Sequence, residues 1–193
     1  MENHVYNPSL ESITIDKSEL FRRLKAPLEL FNAEIEEYID AFKTQSSAKC
    51  CASVCNVNVS ENLAEFEFGT FKSAGLAKCL SGCKRVCIMG ATLGVGADRL
   101  IHRMEVVSKS KAFVADAVAS ALIEAVMDDF CSMLKEKYNL TPRFSPGYGD
   151  FELSAQRMVL DALNADRILG IKLGESFIMT PRKSITAICG IIE

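Results

Sequence analysis

Tryptophan is absent from this 193-residue sequence, histidine occurs twice, and 22 lysines and arginines are outnumbered by 25 acidic side chains. Each scarcity excludes something. A formal charge of −3 with scattered basic residues leaves no electropositive stripe to neutralise phosphates, so nucleic acid is not an expected partner. A Ser–His or Cys–His catalytic pair would have to use His102, and no nucleophile elbow accompanies it. His102 is read as a surface or helix-capping group and His4 as part of a mobile terminus. No apolar run approaches the ~18 residues of a membrane span, and the opening Met1-Glu2-Asn3-His4 lacks the basic-then-apolar pattern of a secretory leader. A cytoplasmic protein without membrane contact is the expectation.

What the sequence has is 49% hydrophobic residues and eight cysteines. A chain of this length is expected to form one domain, 1–193, and buries roughly 70% of its unfolded surface, so it needs neither disulfides nor metals to fold. In a reducing compartment the cysteines are thiols. Cys50, Cys51 and Cys55 form one cluster, and Cys79, Cys83 and Cys87 step by four. Zinc ribbons and iron–sulfur sites use Cys-x-x-Cys pairs, which place two thiolates on one turn, and none occurs here. Packing groups are the favoured reading, with a cysteine-ligated metal or iron–sulfur site and redox chemistry as alternatives. No metal ligand set is assigned.

Periodicity supplies the elements. Ile13–Ile15 reads as a short strand, and Asp16 or Ser18 as the cap of a helix through Glu19–Leu24 that Pro27 interrupts. Leu28, Phe31, Ile35, Tyr38, Ile39 and Phe42 mark one face of the next helix. Alternation predicts strands at Cys55–Val59 and Glu65–Phe68, joined as a hairpin or meander. A short helix over Leu76–Cys83 and a buried strand over Val86–Met89 follow. From about 110 to 137 there is neither glycine nor proline, and Phe113, Ala117, Ala121 and Ala125 step by four, predicting a long central helix open to close neighbours. A helix over Leu153–Leu163 and strands at Ile168–Leu173, Ser176–Met179 and Ser184–Ile191 complete the chain. Without a regular βα repeat this is an α+β fold: a mixed, largely antiparallel twisted sheet with helices packed around it.

Two segments invite a chemical reading. Gly90-Ala-Thr-Leu-Gly94-Val-Gly96 follows a strand, but Ala97 and Asp98 stand where a Walker loop needs lysine and a hydroxyl, and Arg99 where a dinucleotide fingerprint needs glycine. A tight turn with close backbone packing is the better reading. Arg143-Phe-Ser145-Pro-Gly147-Tyr148-Gly-Asp150 is different. Pro-Gly presets a type II turn, Arg143 offers a planar fork for a carboxylate, and Tyr148 adds an aromatic wall with a polar tip. These residues describe a site for a small zwitterionic or anionic ligand, or else an ordinary loop between two helices.

At this loop the sequence resembles the activation domain of cobalamin-dependent methionine synthase. That family carries an Arg-x-x-Pro-Gly-Tyr loop, a helix, and then a segment reading roughly Gly-x-x-Leu-x-Glu-Ser-x-x-Met-x-Pro-x-x-Ser-Val-x-Gly. Here these are Arg143 to Tyr148 and Gly170 to Gly190, with Leu173, Glu175, Ser176, Met179, Pro181 and Ser184 in place, Ile185 for the valine, and Gly190 beyond the position of the last glycine. The match covers about residues 110–190, is weak over 1–70, and resembles the short, freestanding members of the family.

The resemblance implies S-adenosylmethionine bound by Arg143, Ser145, Gly147 and Tyr148, with Glu124, Asp150, Glu175 and Met179 as further lining candidates and no catalytic acid or base. It implies a cobalamin-binding methionine synthase subunit or other corrinoid protein as partner, because 193 residues cannot hold the enzyme's other modules and no Asp-x-His-x-x-Gly corrinoid motif is present. A flavodoxin-type electron donor completes the expected set. The competing reading is a non-enzymatic docking module for a corrinoid protein that does not bind S-adenosylmethionine.

Overall fold

The computed structural model describes residues 2–25 and 32–193. In chain order the elements are β1 (Glu2–Tyr6), α1 (Lys17–Leu24), α2 (Asn32–Gln45), β2 (Lys49–Ser60), β3 (Leu63–Phe66), β4 (Gly69–Lys72), α3 (Ala74–Cys79), β5 (Arg85–Thr92), α4 (Val95–Val107), α5 (Lys109–Lys135), α6 (Gln156–Ala162), α7 (Ala165–Leu169), β6 (Lys172–Leu173), β7 (Met179–Thr180) and β8 (Ser184–Ile191). The fold is α+β, and every strand pairing among the described residues is antiparallel. The main sheet runs β4-β3-β2-β5-β8, with β1 also on β2, while β6 and β7 form a small separate ribbon.

Both faces of the central strands are covered. Cys50, Ala52, Val54, Cys87, Met89, Ala91, Ala187 and Cys189 point toward α1, α2, α4 and α5. Their neighbours Cys51, Cys55, Val86, Ile88 and Ile188 point toward α3, α6 and α7. A strand buried on both sides has no reason to alternate polar with apolar, which is why β5 reads as an unbroken apolar run and why β2 begins at Lys49, ahead of the alternation at Cys55–Val59.

The cysteines are part of this packing. All eight are free thiols and seven are buried. Burial pushes Cys50, Cys51 and Cys87 up to about 12 and Cys55 to about 11, so these sulfurs stay protonated and apolar. Among the described residues no group of three or more His, Cys, Asp or Glu side chains is arranged to hold a metal ion, and no helix is long and apolar enough to cross a membrane.

Helix α5 is the spine, with Ala115, Val118, Ala119, Leu122, Val126, Met127 and Phe130 essentially inaccessible. Its small residues admit α1, α2 and α4 against it. The glycine-rich segment is a packing turn. Gly94 caps α4 at φ +73°, Thr92 Oγ1 accepts its N–H at 3.0 Å, and a Cβ on Gly96 would stand 1.9 Å from the Gln45 carbonyl oxygen.

Several expectations are corrected. Ile13–Ile15 is not a strand: Ile13 and Ile15 drop singly into the core from an irregular segment. Residues 168–173 end α7 before the two-residue β6, because Gly170 takes a left-handed C-cap. The N-terminus is strand β1, with His4 Nε2 3.1 Å from the Tyr138 hydroxyl, rather than a mobile tail. Helix α4 has no counterpart in the periodicity reading. Pro27, Leu28 and Phe31 lie outside the described residues.

Candidate functional site

The loop after α5 is held on both sides of Arg143. Thr141 N–H donates to Gly190 O at 2.9 Å, and Phe144 exchanges both backbone bonds with Ile188 at 2.9 and 2.8 Å, so this segment runs as an extra partner along β8. Successive side chains of an extended segment point to opposite faces. Phe144 accordingly packs with Phe151 and Tyr148, while Arg143 turns toward α5.

Beyond it lies the expected type II turn. Tyr148 N–H donates to Ser145 O at 3.1 Å, Pro146 and Gly147 take the corners, and Gly147 has φ +92°, the left-handed value that position requires. The turn's polar groups are largely spent internally, since Gly147 N–H donates to Phe151 O at 2.7 Å. Gly147 therefore shapes the loop rather than offering its own N–H.

Asp150 is likewise structural. Its carboxylate accepts from Ser73 Oγ at 2.6 Å and from the Ala74 and Gly75 N–H groups at 2.6 and 3.1 Å, capping α3, and these bonds, the Ser73 hydroxyl first, hold its pKa below the usual carboxylate value.

Arg143 opens onto a cavity of about 650 Å³ between α5, the segment Ser12–Arg23 and the loop. Glu124 and Asp128, one turn apart on α5, both face it: Arg143 Nη2 lies 3.2 Å from Glu124 Oε2 and 2.9 Å from Asp128 Oδ1. Ala121 and Ala125 on the same stretch leave room beside them, and Tyr148, 59% exposed, stands at the rim. From the N-terminal side Arg23 reaches Glu124 at 3.9 Å, and Asp16 lines the wall with its carboxylate bonded to Ser18 N and Oγ at 2.8 and 2.6 Å. Asp129 accepts the Tyr6 hydroxyl at 3.1 Å, and burial, then this bond, pushes the Tyr6 pKa up. Arg143 Nη1 is buried without a hydrogen-bond partner. Such a cavity, with cations and anions converging, is fitted to a zwitterion of drug-like size.

The structure thus brings Glu124, Arg143 and Tyr148 together. It does not bring Asp150, Glu175 or Met179 to this cavity. Glu175 sits in the turn between β6 and β7, and Met179 packs on the opposite face of the sheet, its sulfur 3.3 Å from Gln156 Nε2. Ser145 belongs to the turn and is not among the lining residues.

Sequence reasoning missed Asp16, Arg22, Arg23, Asp128 and Asp129 in the lining. The four-residue step from Glu124 to Asp128 on one helix face carried a readable signal for Asp128; the N-terminal contribution had none, because only tertiary folding lays Ser12–Arg23 across α5.

A second charged cluster ties the segment before β8 to the helices. Lys183, 8% exposed, lies 2.8 Å from Asp116 Oδ1 and donates to Ser120 Oγ at 2.7 Å, while the Arg182 N–H donates to both Asp98 carboxylate oxygens. This cluster fixes the approach of β8 to α4 and α5.

No protein-family model matches the chain. No curated protein matches it in sequence either. Among solved structures it is similar to the MetH reactivation domain bound to AdoHcy, with a TM-score of 0.78 at 15% sequence identity, over 98% of this chain and 78% of that one. At that identity the likeness establishes a shared fold.

Proposed function

We propose that the chain is a reactivation component of cobalamin-dependent methionine synthase that binds S-adenosylmethionine in the Arg143 cavity and serves a corrinoid held by a partner protein. The observation that carries this reading is the pocket itself: a guanidinium flanked by carboxylates, in a fold shared with a domain that binds AdoHcy.

An amino-acid ligand needs a cation for its carboxylate and an anion for its ammonium. Arg143 supplies the first, and Glu124, with Asp16 across the cavity, the second. Ala121 and Ala125 leave space for the thioether region, and Tyr148 at the rim offers a flat face toward an adenosyl or methyl group. Cobalamin on the partner supplies the nucleophile and S-adenosylmethionine the activated methyl group, so no acid or base is required of this chain. Its contribution is orientation: fixing the amino-acid end deep in the cavity leaves the sulfur end toward the open rim. A flavodoxin-type donor is the proposed electron source, and the cytoplasm the proposed location.

Calorimetric titration of the full chain with S-adenosylmethionine tests this reading. Saturable binding is expected. No heat at millimolar ligand would replace it with the docking-module alternative, in which Arg143 remains permanently tied to Glu124 and Asp128.

A further inference from the structure

The cavity carries more charge than a zwitterion needs. Four carboxylates, Asp16, Glu124, Asp128 and Asp129, and three guanidiniums, Arg22, Arg23 and Arg143, face one another across it, leaving one net negative charge.

The four carboxylates are not equivalent. Asp16 is held by Ser18, Asp129 by the Tyr6 hydroxyl, and Glu124 by Arg23 as well as Arg143. Asp128 is the loosest: among the described residues its ion-pair partner is Arg143, at 2.9 Å, and its side chain is 69% exposed against 29% for Glu124.

A ligand carboxylate binds a guanidinium best through two parallel bonds. Arg143 has one buried nitrogen, Nη1, without a partner, while Nη2 is shared between Glu124 and Asp128. A bidentate ligand would therefore have to displace one acid from Nη2, and Asp128 is the one with least to hold it.

We propose that Asp128 is an exchangeable counter-ion: the ligand's carboxylate takes its place on Arg143, and the released Asp128 turns to the ligand's cationic end, so that the pocket selects a sulfonium amino acid over the corresponding uncharged thioether. The inference rests on the reading of the cavity as an S-adenosylmethionine site. S-adenosylmethionine carries ammonium, sulfonium and carboxylate, one net positive charge that balances the lining. S-adenosylhomocysteine has no net charge and offers the freed carboxylate no sulfonium to meet, so the exchange gains less Coulomb energy with it. Asp128 is thus a specificity-determining residue, and the same exchange favours release of the demethylated product.

The test is parallel calorimetric titration of the wild-type chain and of Asp128→Asn with S-adenosylmethionine and with S-adenosylhomocysteine. The wild type is expected to prefer the sulfonium. Asp128→Asn is expected to shrink that preference by about fivefold or more, chiefly by binding the thioether more tightly once the competitor on Arg143 is gone, and Asp128→Glu to restore it.

Within the wild type alone, raising the salt from about 0.05 to 0.5 M is expected to narrow the preference, because the discrimination comes from a solvent-exposed charge. An unchanged ratio of the two affinities in Asp128→Asn, or a salt-independent ratio in the wild type, overturns the exchange while leaving the ligand assignment standing. Failure of both ligands to bind the wild type overturns the ligand assignment and the exchange with it.

Discussion

Arg143 is the residue on which the site turns. It is fixed by backbone bonds to β8 on either side, its side chain is 25% exposed, and it meets two carboxylates from one face of α5. Arg143→Ala is expected to weaken S-adenosylmethionine binding by at least ~1.5 kcal/mol, the scale of a charge-assisted contact, with an unchanged affinity in calorimetry marking the loop as purely structural. Asp150 acts on stability instead. Its pKa lies below the usual carboxylate value, so its contribution is fully present above that usual value and fades as the pH falls through the lower, folded-state one. Asp150→Asn is expected to lower the melting temperature at pH 7 and to leave ligand affinity little changed; an unaltered melt would mean that α3 does not need this cap. A turn motif marks Arg143 and Tyr148 in the sequence, Glu124 entered through the family resemblance, and the structure places all three at one cavity. Glu175 and Met179 stood in an equally recognisable motif but lie away from the cavity, since a motif records residue types and not the face to which the chain delivers them.

Elements show the same division between local and tertiary signals. Helix α5 was readable end to end because 27 residues without glycine or proline carry one period. Strand β2 was readable only over its outer half, where one face meets solvent. Strand β1 escaped because a five-residue strand with exposed, alternating polar positions has no signal apart from its partner. The α2–α4 contact can be tested. A Cβ at Gly96 meets a backbone carbonyl of Gln45, which cannot rotate away, so Gly96→Ala is expected to destabilise by about 1–3 kcal/mol in thermal or urea unfolding. A neutral substitution would show that the two helices separate easily.

For the whole molecule, the eight cysteines are the feature most open to misreading. Six of them lie in the apolar clusters on the two sides of the sheet, and burial raises the pKa values of the seven buried thiols, so these act as small apolar groups. In native protein one thiol, the partly exposed Cys79, is expected to react quickly with a thiol reagent, and all eight after denaturation. Rapid labelling of several in the native state would contradict the packing. Linkage gives a second check. Above pH 9 the unfolded thiols ionise while Cys50, Cys51 and Cys87, at about 12, do not, so the native state binds more protons and stability falls as pH rises. Each such thiol contributes on the order of 1.4 kcal/mol per pH unit above that point, and melting temperatures across pH 8 to 10.5 should drop steeply. A flat profile would mean that the thiols are solvated.

The central claim joins this fold to one ligand at one arginine. A crystal structure of the full chain with S-adenosylmethionine or S-adenosylhomocysteine tests it most directly. The ligand's carboxylate is predicted to sit on Arg143, its ammonium toward Glu124 and Asp16, and its adenosyl end toward Tyr148. A ligand bound elsewhere, or an Arg143 still paired with both Glu124 and Asp128 beside an unfilled cavity in crystals grown at saturating ligand, would contradict it.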